Sequence, residues 1–187
     1  MLITEEYRAM QEKLHENKGY GIVGRQFGKM VSAIVDNAGI DSVLDYGAGH
    51  NMSLRETLKP DRPITYTAYD PGVPELAELP EPAELVCIID VLEHIEPDCL
   101  DAVLDHLEEL TQAVLFGTVC TREAKKTLSD GRNAHLIVKP MKWWLNKLWE
   151  RDFEFQTVQM TQPHHFFFIT HKAGLDLVDH RRQRPVS

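Results

Sequence analysis

Cysteine is scarce in this sequence. Only Cys87, Cys99 and Cys120 occur in 187 residues, and no two are spaced as CxxC. A disulfide framework or a paired-thiolate motif is therefore not expected. Cys87, inside an apolar run, reads as a small buried hydrophobe. No HxH or HxxxH spacing occurs, so a metal is not expected from His94, His135 and Asp130. No apolar run approaches the roughly 18–20 residues of a membrane span. The opening MLITEEYRAMQEKLHENK is acidic and amphipathic, without the basic end and apolar core of a secretory signal. A reducing, cytoplasmic setting is the expectation. Positive charge is also in deficit: the net charge of −9 repels nucleic-acid phosphates and disfavours duplex binding. The tail HRRQRPVS, from His180, is a local basic patch and reads as a solvated terminus.

What is present is an ordinary globular composition, 43% hydrophobic and 26% charged, long enough for one domain over residues 1–187. Residues 1–40 read as two helices, the second from about Gln26 to Ala38 and ending at Gly39. The core covers 41–171 and a tail follows over 172–187. SVLDY (Ser42–Tyr46), PITYTAY (Pro63–Tyr69), ELVCIID (Glu84–Asp90) and AVLFGTV (Ala113–Val119) read as strands, the last two buried on both faces. PDCLDAVLDHLEELTQ carries an apolar stripe of Leu100, Val103, Leu104, Leu107 and Leu110 and is the clearest helix. A further helix is expected after Pro140. Trp143, Trp144 and Trp149 on it read mainly as core, with one of the WW pair exposed or walling a pocket. FEFQTVQM and HHFFFIT read as an antiparallel pair, with His164 and His165 structural. The order gives an α/β, three-layer sheet, mostly parallel, with an antiparallel C-terminal hairpin strand.

In such sheets ligands bind beyond the carboxyl ends of the strands. GAGHN, Asp70, DVLEH and TVCTRE all follow strands, which collects Gly47, Gly49, Asp70, Asp90 and His94 on one face. The GxG of LDYGAGHN suits a tight turn against a ligand. The third glycine of a dinucleotide fingerprint is missing, since Asn51 and Met52 follow His50. Asp70 either accepts the two hydroxyls of a ribose or initiates the turn at Pro71-Gly72.

VLDYGAG, YDP and CIIDVLEHI resemble the first, second and fourth strand motifs of class I S-adenosylmethionine-dependent methyltransferases, over about Val31 to Thr170. KTLSDGRNAHLI is similar to a segment of uncharacterised bacterial and phage members. The resemblance implies a Rossmann-like fold and S-adenosyl-L-methionine as cofactor. It places Gly47 and Gly49 beneath the methionyl part, Asp45 near its ammonium group, Asp70 on the ribose and Pro71 beside the adenine. Asp90, Val91 and Leu92 would follow the fourth strand with carbonyls toward the ammonium. Tyr46 and Asn51 join this set, and Tyr20 with Gly21 would close over the carboxylate. The family's third strand is expected to be short or missing, because PGVPELAELPEPA cannot hold a helix plus a strand. No ligand for the adenine amino group is therefore assigned.

Methyl transfer from a sulfonium is an in-line displacement, aided by a base where the acceptor carries a proton. His135 and His94 are the candidate bases, each weighed against a histidine that only fastens its own loop. Glu93 reads as a cap or a solvated carboxylate. Asp130, Arg132 and Asn133, beside His135, are the candidate contacts to a small polar acceptor such as a sugar or nucleotide-linked metabolite. A nucleoside or nucleic-acid methyltransferase and a non-catalytic cofactor-binding module are the alternatives; the charge and the lack of an NPPY motif weigh against the nucleic-acid reading. The oligomeric state is not legible.

Overall fold

The computed structural model describes residues 1–15 and 21–172. Tyr20 and the basic tail from His180 lie outside the described residues. Helix α1 (Glu5–His15) is followed by a 3-10 turn (Val23–Gln26), α2 (Gly28–Ala38), β1 (Ser42–Tyr46), a short α3 (Ser53–Thr57) and β2 (Thr65–Tyr69). Then come β3 (Ala83–Ile89), α4 (Leu100–Leu110), β4 (Thr111–Cys120), α5 (Met141–Trp149), β5 (Phe153–Gln162) and β6 (His165–Lys172).

These strands form one sheet in the order β2-β1-β3-β4-β6-β5. β2, β1, β3 and β4 are parallel, while β6 runs antiparallel to β4 and to β5. Alternation along β3 explains the three layers. Leu85, Cys87 and Ile89 pack with Val31 and Val35 of α2 on one face. Val86 and Ile88 pack with Leu104 and Leu107 of α4 and Trp144 of α5 on the other. The stripe on α4 is buried at each of its five positions.

Between β2 and β3 there is only a 3-10 turn (Pro74–Leu76), so β2 is the sheet edge, as the brevity of this link leads one to expect. α2 ends at Gly39, whose φ of 67° is the left-handed cap. It starts later than its pattern suggests, at Gly28, because Val23–Gln26 is a separate tight turn packed on α3. α4 stops at Leu110 rather than Gln112, and β4 leaves it directly. The Thr111 hydroxyl donates to the Leu107 carbonyl at that junction (2.6 Å). The tryptophans divide their work. Trp144 is fully buried, Trp143 meets it edge-on at 5.0 Å, and Trp149 is 66% exposed. None of the three borders the cavity described next.

Candidate functional site

A cavity of about 310 Å³ opens beyond the carboxyl ends of β1, β2 and β3. Its floor is the loop after β1. The N–H groups of Gly47 and Ala48 both donate to the Tyr69 carbonyl at the end of β2 (2.7 and 3.1 Å). Gly47 has φ of 79°, and a Cβ there would lie 2.4 Å from Val91 Cγ2, so only glycine fits. Gly21, with φ of 72°, closes from the amino-terminal side: a Cβ on it would sit 4.0 Å from the Gly49 Cα.

Asp70 organises the next corner. Its Oδ2 accepts the Gly49 N–H and its Oδ1 the Gly72 N–H, each at 2.8 Å. The turn-initiating reading of Asp70 thus describes a bond actually made. The two readings of Asp70 do not exclude one another, since a carboxylate oxygen accepts more than one hydrogen bond. Asp45 is 4% exposed and accepts the Tyr66 hydroxyl at 2.5 Å. Burial pushes its carboxyl up to about 7, against the lowering effect of the Tyr66 bond and with nearby Asp70 adding to the rise. Tyr46 borders the cavity, but its ring packs edge-on against Tyr69 (4.9 Å) and its hydroxyl meets His106 Nδ1 (3.1 Å).

Pro71, Asp90 and Val91 also line the cavity, whereas Asn51 and Leu92 do not. The Leu92 side chain is fully buried in the core beneath α4. The Val91 and Leu92 carbonyls already accept the N–H groups of His94 (2.9 Å) and Ile95 (3.2 Å) in a 3-10 turn. Asp90, at φ of 60°, is held by its N–H on the Thr118 hydroxyl (3.0 Å).

The β3–β4 side carries the histidines. His94 Nδ1 lies 2.8 Å from the Ala134 carbonyl, and His135 Nδ1 lies 2.6 Å from the Arg122 carbonyl. A carbonyl only accepts, so each ring donates through its Nδ1–H. The rings meet edge-to-face at 4.7 Å, and both line the cavity. Burial, more than any other influence, pushes His94 down to about 4, against the attraction of Asp90. Local fastening and cavity lining therefore coexist in both histidines.

Glu93 departs most from expectation. It is neither a cap nor solvated but fully buried, with Oε1 accepting the Cys120 N–H at 2.5 Å. Among the described residues its Oε2 has no hydrogen-bond partner. Burial first, then the neighbouring Asp90, raises its carboxyl well above the usual range. Glu93, Cys120 and His135 bring one carboxylate oxygen, one sulfur and one ring nitrogen within 4.8 Å of one another.

Asp130, Arg132 and Asn133 do not reach the cavity lining. Arg132 Nε donates to Asp130 Oδ2 (2.5 Å) at an exposed loop tip, and its guanidinium lies 5.9 Å from the Tyr7 ring centroid. Asn133 clamps the loop: its Oδ1 accepts the N–H groups of Ala124 and His135, and its Nδ2 donates to the Ala124 carbonyl, all at 2.9 Å. The segment thus presents His135 inward and its charged pair outward.

Sequence reasoning missed the roof. Leu2, Ile3, Tyr7 and Gln11, on and before α1, line the cavity. Thr4 donates twice to the Glu96 carboxylate (2.8 and 2.9 Å), and the Tyr7 hydroxyl donates to the His94 carbonyl (2.7 Å). The apolar spacing Ile3, Tyr7, Met10 and Leu14, all packed in one cluster with Leu128 and Ala134, was the readable signal.

No family model and no curated protein sequence matches this chain. Solved structures do. An O-methyltransferase family protein from Burkholderia thailandensis aligns at 14% identity with TM-score 0.66, covering 94% of this chain and 64% of that one. The chain thus spans 64% of that protein's length. The 1,6-didemethyltoxoflavin-N1-methyltransferase of the same organism, with 1,6-didemethyltoxoflavin and S-adenosylhomocysteine bound, aligns at 14% identity and TM-score 0.65, covering 92% of each chain. Magnesium protoporphyrin IX methyltransferase from Synechocystis, with S-adenosylhomocysteine bound, aligns at 16% identity and TM-score 0.55, covering 81% of this chain and 84% of that one. The sheet is a mixed parallel and antiparallel α/β sheet of the Rossmann-like methyltransferase fold.

Proposed function

We propose that this chain transfers a methyl group from S-adenosyl-L-methionine to a small polar acceptor, a sugar, nucleotide-linked compound or other metabolite, by in-line displacement. One observation carries the reading. The GxG loop after β1 and the Asp70 carboxylate after β2 are locked together at the mouth of one cavity. Relatives in fold that hold S-adenosylhomocysteine support it.

The residues fit such a cofactor. The Asp70 carboxylate, after β2, is placed to accept from a ribose diol. Asp45, buried beside it, supplies the carboxylate that a methionyl ammonium needs. The apolar surfaces of Pro71, Val91 and Ile22 suit an adenine face with few polar contacts. Gly21 closes the amino-terminal side. When bound, the cofactor supplies an electrophilic methyl group on a sulfonium. The acceptor then lies toward His94 and His135, the two candidate bases that would take a proton as the new bond forms. Asn133 acts as a positioning residue through His135, and Asp130 and Arg132 hold the loop tip.

Calorimetric titration with S-adenosylmethionine, S-adenosylhomocysteine and NAD tests the cofactor. Both sulfur compounds should bind and NAD should not. Asp70→Ala should weaken that binding by about 10–100-fold, the worth of one or two hydrogen bonds to a charged group. Failure of both sulfur compounds to bind overturns the reading. A labelled-methyl screen across metabolites and nucleosides then identifies the acceptor.

A further inference from the structure

We propose that Glu93, Cys120 and His135 form a binding site for one borderline-soft divalent cation of the zinc class. The site stands on these residues alone and does not depend on the methyl-transfer reading.

The donor set is the first argument. One carboxylate oxygen, one sulfur and one imidazole nitrogen lie within 4.8 Å of one another, although their residues are spread over three separate segments of the chain. A tetrahedral zinc site with bonds of about 2.0–2.3 Å spaces its ligands about 3.3–3.8 Å apart. Closing the cluster therefore needs side-chain shifts of about 1 Å, within rotamer freedom. Sulfur selects a soft or borderline ion, and the mixed N/S/O set disfavours magnesium or calcium.

The second argument is a polar atom without a partner. Glu93 is fully buried, and its Oε2 meets no donor. An orphaned buried acceptor is costly, more so when charged. Asp90 brings a second carboxyl, and the Nδ1 proton of His135 is already committed to the Arg122 carbonyl. A cation would satisfy the orphaned oxygen, the sulfur and the ring nitrogen together.

The third argument is orientation. Metal-bound histidines donate their other ring N–H to a carbonyl or carboxylate, which fixes the tautomer. His135 already does so through Nδ1, and Asn133 Oδ1 holds its backbone N–H. Three protein ligands leave a fourth position open. His135 also lines the cavity, so that position faces the cavity. Binding displaces the Cys120 thiol proton and any proton on Glu93 into solvent. With the cation in place His135 is a ligand rather than a base.

Cobalt(II) is the probe. Chelator-treated full-length protein is titrated with Co²⁺ and followed by absorbance. One ion per chain should bind, with a thiolate-to-cobalt charge-transfer band that Zn²⁺ abolishes. Cys120→Ser should remove that band and weaken affinity at least about tenfold, and His135→Asn should weaken it similarly. Circular dichroism checks that each variant is folded, and Cys120→Ser alone decides the matter if His135→Asn is not. Absence of a charge-transfer band in the wild type overturns the site. So does a band retained in Cys120→Ser, which would place the ion on another cysteine. None of these readouts needs turnover, so a failure of methyl transfer leaves the result standing.

Discussion

On the β1–β2 side of the cavity, Gly47, Ala48 and Gly49 commit their N–H groups to Tyr69 and Asp70, two adjacent residues at the end of one strand. On the β3–β4 side, residues 90, 93, 120 and 135 come together only when two strands and a distant loop have docked. The first wall is built by backbone geometry and is nearly complete before any ligand arrives. The second is built by side chains and retains a buried oxygen without a partner. The difference is one of readiness. Backbone turns fix a shape that many ligands of one kind can share, while side-chain clusters fix chemistry and are easily varied.

The comparison breaks hardest where the walls touch. Gly47 sits against Val91, and Gly47→Ala adds a Cβ at 2.4 Å from it, on a backbone with φ of 79°. Left-handed strain and overpacking together should cost about 2–4 kcal/mol, read as a fall in the urea midpoint. A loss under about 1 kcal/mol would mean that Val91 yields freely and the walls are not in register.

A smaller effect separates the walls by pH. Asp45 is raised from 3.8 to about 7, so folding takes up a proton there. Its contribution to stability is full below the usual carboxylate value and is lost as pH rises toward about 7. His94 is lowered from 6.5 to about 4. Its contribution is full above 6.5 and is lost as pH falls toward about 4. Asp45→Asn should therefore make stability rise more steeply with pH between about 4 and 7, and His94→Asn should make it rise less steeply between about 4 and 6.5. Denaturation curves across that range check the signs, and two variants with the same slope would erase the contrast.

The smallest effect is expected at the loop tip. Arg132 pairs with Asp130 in solvent, away from the cavity lining. Arg132→Ala should change cofactor affinity by no more than about twofold, as surface substitutions usually do. A tenfold loss of turnover with unchanged cofactor affinity would return Arg132 to the acceptor.

Legibility followed the same divide. SVLDY was readable to the residue as β1, because a short apolar run between polar turns has few alternatives. The missing strand was readable from length alone, since about thirteen Pro- and Glu-rich residues cannot hold a helix and a strand. The Asp70 corner was readable as one of two options, and both were compatible. Glu93 was not, because a carboxylate after a buried strand looks the same in sequence whether it faces water or core. The pull of Asp130, Arg132 and Asn133 toward a substrate role came from their crowding beside His135. Only the fold shows that Gly131, at φ of 91°, turns the charged pair outward while Asn133 ties the loop base.

The Tyr69 carbonyl, which accepts two N–H groups from the loop after β1, has a consequence in time as well as in shape. A loop tied to a neighbouring strand at one shared atom cannot open by itself. Gly47 and Ala48 are released only when β1 and β2 part, so this floor moves at the slow rate of sheet opening rather than on the nanosecond scale of surface loops.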